Sequence, residues 1–161
     1  MINVERLTGF LEAMGCLNQG RDHISLYAVE AVEFQNKSLK KTLRYHFEKH
    51  APCGEGEKPV CGKWTITIET LDNGLEKLRE LAHYYFFGLR FSPEIREENG
   101  NSPANVVAGF IDCFEECIDY QSRTFYSVRA CSNEVSNAGI HETVLVKVEN
   151  ELCIIRFGFT D

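Results

Sequence analysis

Apolar and polar positions along the chain keep two different rhythms. Near the N-terminus, Val4, Leu7, Leu11 and Met14 recur three or four residues apart, which predicts an amphipathic helix with Asn3 as its cap and Gly15 as its stop. From Ser38 the rhythm returns in Leu39, Leu43, Phe47 and His50, until Pro52 forbids continuation. Between these, residues 22–35 (DHISLYAVEAVEFQ) fit either a helix or an alternating strand, and helix is the reading taken. Period two takes over at 63–71 (KWTITIETL), where Trp64, Ile66 and Ile68 alternate with Thr65, Thr67 and Glu69. That pattern predicts a strand with one buried and one wet face.

Asp72 or Asn73 then caps a helix carrying Leu75, Leu78, Leu81, Ala82 and Tyr85, which ends near Gly88. A glutamate-rich polar loop spans 92–101, and Ser102 followed by Pro103 starts the next helix, since proline at the first helical position gives up no useful donor. Residues 123–131 (RTFYSVRAC) read as a strand, and ETVLVKVE and LCIIRFGF flank a turn near Asn150. Helices early and strands late, without βαβ alternation, predict a single α+β domain over residues 1–161. Its N-terminal helices are expected on one face of an antiparallel sheet of about four strands, closed by the C-terminal β-hairpin.

Composition narrows the class. The 161 residues are 43 % apolar and 25 % charged, ordinary for a globular domain. A chain of this length buries about 70 % of the surface it exposes unfolded, so it needs no disulfide staple. Its seven cysteines are odd in number and scattered, several of them inside apolar runs such as Cys153 in LCIIRF. With no basic-then-apolar signal segment at the N-terminus, they point to the reducing cytoplasm. No apolar run approaches the ~18 residues of a membrane span. The net charge of −7 argues against a nucleic-acid partner and suits a basic protein partner.

Two clusters carry candidate chemistry. In YHFEKHAPCGEGEKPVCG, His46 and His50 share a helix face, and Cys53 and Cys61 sit on a loop able to fold back over it; nitrogen and thiolate ligands of this kind suit tetrahedral zinc. The spacing matches no zinc-finger pattern, and Glu48 is misplaced for HExxH. The preferred reading is a helix end running into a polar loop, with no metal and no cofactor. Cys53 beside His50 is the best nucleophile on offer, but no GxSxG, P-loop or GxGxxG is present, so no catalytic residue is assigned.

The second cluster lies in SPANVVAGFIDCFEECIDYQ. Opposite the apolar stripe of Val107, Phe110, Ile111, Phe114 and Ile118 stand Asp112, Glu115, Glu116 and Asp119, at i, i+3, i+4 and i+7, with no lysine or arginine among them. A carboxylate ridge of this kind mimics a run of phosphates and can dock into a cationic groove. The expected function is therefore a small acidic cytosolic protein-binding factor, an inhibitor, immunity or antitoxin-like protein that blocks a basic partner such as a nuclease toxin, and not an enzyme. The alternatives are a metal-binding or Cys/His-dependent enzyme centred on His46, His50, Cys53 and Cys61, and a structural subunit of a larger assembly whose contact is the aromatic run HYYFFGLRF.

Overall fold

The computed structural model describes residues 2–19, 24–34, 38–50, 64–89, 102–118, 123–132 and 139–160. Among them are four α-helices, α1 (Glu5–Leu17), α2 (Leu39–His50), α3 (Gly74–His83) and α4 (Pro103–Cys117), and six strands. The strands are β1 (Ile24–Ser25), β2 (Ala28–Glu33), β3 (Trp64–Leu71), β4 (Arg123–Ser132), β5 (Gly139–Val148) and β6 (Glu151–Thr160). All pairs are antiparallel. The C-terminal hairpin β5–β6 forms the centre, continuing through β4 to β3 on one side, while β1 and β2 lie end to end along the free side of β6. The α+β class and the C-terminal hairpin stand as the sequence implies.

Three details differ. Residues 24–25 and 28–33 are strand rather than helix: Ala28 to Glu33 pair with Arg156 to Glu151, and this long-range ladder overrides a local pattern compatible with both states. The sheet has six strands rather than about four. The helices also cover both faces. Val144, Val146, Cys153, Ile155 and Phe157 pack against α1, α3 and α4, while the alternate residues Leu145, Leu152 and Ile154 pack with Leu43 and Phe47 of α2 and with Trp64 and Ile66. Central strands buried on both sides need apolar residues at consecutive positions, which is what LCII and VLV supply.

Local signals account for the helix ends. The Ser102 side chain accepts from the Asn105 backbone N–H at 3.2 Å and caps α4, with Pro103 in its first turn. Asn3 Oδ1 accepts from the Glu5 N–H at 3.0 Å, but Val4 rather than Asn3 is the N-cap of α1, and the helix runs past Gly15 to Leu17. α3 continues without a break into a π-helical turn, Tyr84–Gly88, that sets the consecutive Tyr85 and Phe86 fully into the core. There Phe86, Phe110 and Phe157 form a triangle with ring centroids 5.6–6.0 Å apart. Each such ring stabilises the fold by roughly 1.5–3 kcal/mol on burial, more than any exposed ion pair here contributes.

Candidate functional site

The acidic ridge of α4 is only partly free. Asp112 is exposed and makes no ion pair among the described residues, and Asp119 lies outside them. Glu116 pairs with Arg6 of α1, both ends more than half exposed. Glu115 meets Arg123 of β4 at 3.0 Å. That arginine is 9 % exposed, and its guanidinium lies 5.5 Å from the ring centres of both Phe114 and Phe125. Glu115 therefore ties α4 to the sheet, while Glu116 meets Arg6 of α1 at the surface. Two of the four carboxylates read from the sequence, Glu115 and Glu116, do not stand clear of the chain's own cations.

His46 is also redirected by the fold. It points inward from α2, 4 % exposed, with Nε2 3.4 Å from Glu30 Oε2, while Glu30 Oε1 pairs with Arg156 of β6. Carboxylate, imidazole and guanidinium converge here from β2, α2 and β6. Both Glu30 oxygens are engaged and the ring is enclosed, so the triad pins α2 to the sheet. The His50 side chain, Cys53 and Cys61 lie outside the described residues, and among the described residues no three metal-ligating side chains converge.

Two thiols among the described residues, Cys117 and Cys153, fit structural roles. Burial pushes the Cys153 thiol up to about 12, and burial also raises Cys117 against the opposing effect of the Leu7 backbone, so both stay protonated and poorly nucleophilic at neutral pH. A further polar cluster lies under the π-helical turn. Asn18 Nδ2 donates to Tyr27 Oη at 2.9 Å and to the carbonyls of Tyr85 and Phe86 at 2.9 and 3.2 Å, and the Tyr27 hydroxyl donates to the Tyr85 carbonyl at 2.5 Å. Burial raises the Tyr27 pKa, which keeps that hydroxyl a donor. This network satisfies carbonyls at the π-helical turn.

What the sequence reading passed over is the outer face of α2. Opposite Leu43, His46 and Phe47, the helix exposes Lys40, Lys41, Arg44, Tyr45, Glu48 and Lys49. The four cations make no ion pair among the described residues, and Tyr45 is 69 % exposed. Charge is thus layered across the sheet: α1, α3 and α4 carry seven carboxylates against three cations, and α2 carries four cations against one carboxylate. The cations were legible in LKKTLRYHFEKH, beside the histidines that drew the metal hypothesis.

Comparison with solved structures recovers this architecture at low sequence similarity. The chain shares its fold with citrus MAF1. Two crystal forms of that protein, in space groups P 31 2 1 and C 2 2 21, superpose with TM-scores of 0.54 and 0.53 at 12 % identity. The alignments cover 98 % and 99 % of both chains. No protein-family model and no curated protein matches the chain. At this identity the likeness to MAF1 establishes the fold alone. Among the described residues no helix is long and apolar enough to cross a membrane.

Proposed function

We propose that the chain is a small acidic binding factor of the inhibitor type, which engages a basic protein partner through its three-helix face and carries out no chemistry of its own. The charge layering supports this reading: the three helices of that face carry seven carboxylates against three cations, and Glu5, Glu12 and Asp112 on them are exposed and outside any ion pair among the described residues. A surface field of one sign steers an oppositely charged partner into encounter and sets its orientation. Glu115 and Glu116 add little to it, because their charges are already met by Arg123 and Arg6. A basic nuclease is a partner of the right chemistry, since its phosphate-binding groove is cationic. The free thiols Cys16, Cys113, Cys117 and Cys153 support a reducing, cytoplasmic setting.

The test is the triple reversal Glu5→Lys, Glu12→Lys and Asp112→Lys, all at exposed positions. It is expected to leave thermal unfolding near that of the wild type and to weaken calorimetric affinity for a basic nuclease about tenfold or more, with nuclease inhibition lost in parallel. Wild-type binding that survives the reversal unchanged removes the three-helix face from the reading, and a wild type that binds no member of a panel of basic nucleases removes the nuclease.

A further inference from the structure

From the outer face of α2 we infer a second binding surface, of opposite sign, which takes a short acidic protein segment. This inference does not rest on the reading of the three-helix face. Its first support is order. Lys40, Arg44 and Glu48 form one row along the helix, and Lys41, Tyr45 and Lys49 a second beside it. The buried side of the helix is fixed by Leu43 and Phe47 in the core and by His46 on Glu30, which aims both rows outward. The four ammonium and guanidinium groups have no carboxylate partner among the described residues, although the chain as a whole has 24 acidic side chains to 17 basic ones. The cations of an acidic protein have ready intramolecular partners elsewhere, as Arg6, Arg123 and Arg156 do here. Among the described residues, those of α2 have none.

Size and whole-molecule charge select the occupant. From Lys40 to Lys49 the patch runs about 14 Å along the helix axis, the length over which a partner helix presents carboxylates at i, i+4 and i+8. A long polyanion would overrun this patch and meet the field of a chain carrying net charge −7, screened only beyond about 8 Å at physiological salt. A compact acidic segment meets the cations and stops. Tyr45, projecting between Lys41 and Lys49, offers the amphipathic ring that anchors such contacts, with an apolar face for an aliphatic side chain of the partner. Arg44 supplies a fork suited to bidentate binding of one carboxylate.

The probe is a fluorescein-labelled helical peptide with glutamates at i, i+4 and i+8 around one leucine, followed by anisotropy against the full chain at about 50 and about 200 mM NaCl. A scrambled peptide of the same composition and a single-stranded DNA 20-mer, about 20 charges long, are run beside it. Expected are binding that weakens with salt, at least about threefold preference over the scramble, and about tenfold loss or more in the quadruple variant Lys40→Gln/Lys41→Gln/Arg44→Gln/Lys49→Gln. Glutamine keeps helix propensity, so that variant is expected to hold the wild-type circular dichroism and melting temperature. If it fails to fold, Tyr45→Ala and Arg44→Gln singly carry the test, each expected to cost about threefold. Peptide binding that these variants leave unchanged overturns the inference, as does equal affinity for the scramble. Tighter binding of the DNA than of the peptide also overturns it, by assigning the face to nucleic acid.

Discussion

Asn18 shows how much a single side chain holds here. A π-helical turn alters the regular ladder of the helix before it, and the carbonyls of Tyr85 and Phe86 point into the core, where water cannot reach them. Asn18, itself fully buried, meets both, and the Tyr27 hydroxyl meets that of Tyr85 a second time. The two residues are not equivalent. Removing the Tyr27 hydroxyl deletes one donor while the Tyr85 carbonyl keeps Asn18, so Tyr27→Phe is expected to lower unfolding free energy by about 1 kcal/mol. Asn18→Ala deprives the Phe86 carbonyl of its side-chain donor, removes one from Tyr85 and leaves a small void, and is expected to cost about 2–4 kcal/mol. Urea unfolding of both variants measures the difference. Equal costs would mean that the turn does not depend on the asparagine.

At the scale of elements, the contrast between Glu115 and Glu116 separates a tether from a surface charge. Both lie on α4 and both face an arginine, yet Arg123 is 9 % exposed between two aromatic rings and Arg6 is 67 % exposed. Neutralising the carboxylate beside an enclosed guanidinium weakens its compensation, whereas an exposed pair is screened by water and opposed by side-chain entropy. Glu115→Gln is therefore expected to lower stability by about 1–2 kcal/mol and Glu116→Gln by less than about 0.5, as read from paired urea titrations. A cost at Glu116 equal to that at Glu115 would contradict this account of how α4 is held. The distinction was invisible in the sequence, where the partners lie eight and 110 residues away and only the i, i+3, i+4 stripe can be seen. Local information served well where the cause was local: the Ser102–Pro103 start of α4, the alternation of β3 and the β5–β6 hairpin all follow from neighbours in the chain. It failed at 28–33, where AVEAVE satisfies both periods and only pairing with β6 selects the strand. The unbroken apolar run LCII already implied cover on both sides of β6, and with it a helix on the far face.

For the whole molecule, layered charge predicts a behaviour that net charge alone does not. At neutral pH the formal charge of −7 keeps copies apart even though each carries a basic face and an acidic one. Near the isoelectric point of about 5.3 that repulsion vanishes. The layers persist there, because lysine and arginine keep their charge at that pH and loss of net charge does not require loss of the individual charges. The α2 face of one copy can then meet the three-helix face of the next. Such a contact joins two different surfaces, so it need not close on itself and extends into larger species. Sedimentation velocity is expected to show association near pH 5.3 at about 20 mM NaCl, reversal at about 500 mM, where the screening length falls to a few ångströms, and a single slow species at about pH 8. Hydrophobic aggregation gives the opposite salt response, since high salt does not weaken it. The α2 quadruple glutamine variant supplies the decisive control. It lowers the isoelectric point as well as the layering, so it is compared at its own point of zero charge, where it should remain monomeric. Association of that variant equal to the wild type would show that the two faces do not attract each other and that the loss of net charge acts alone.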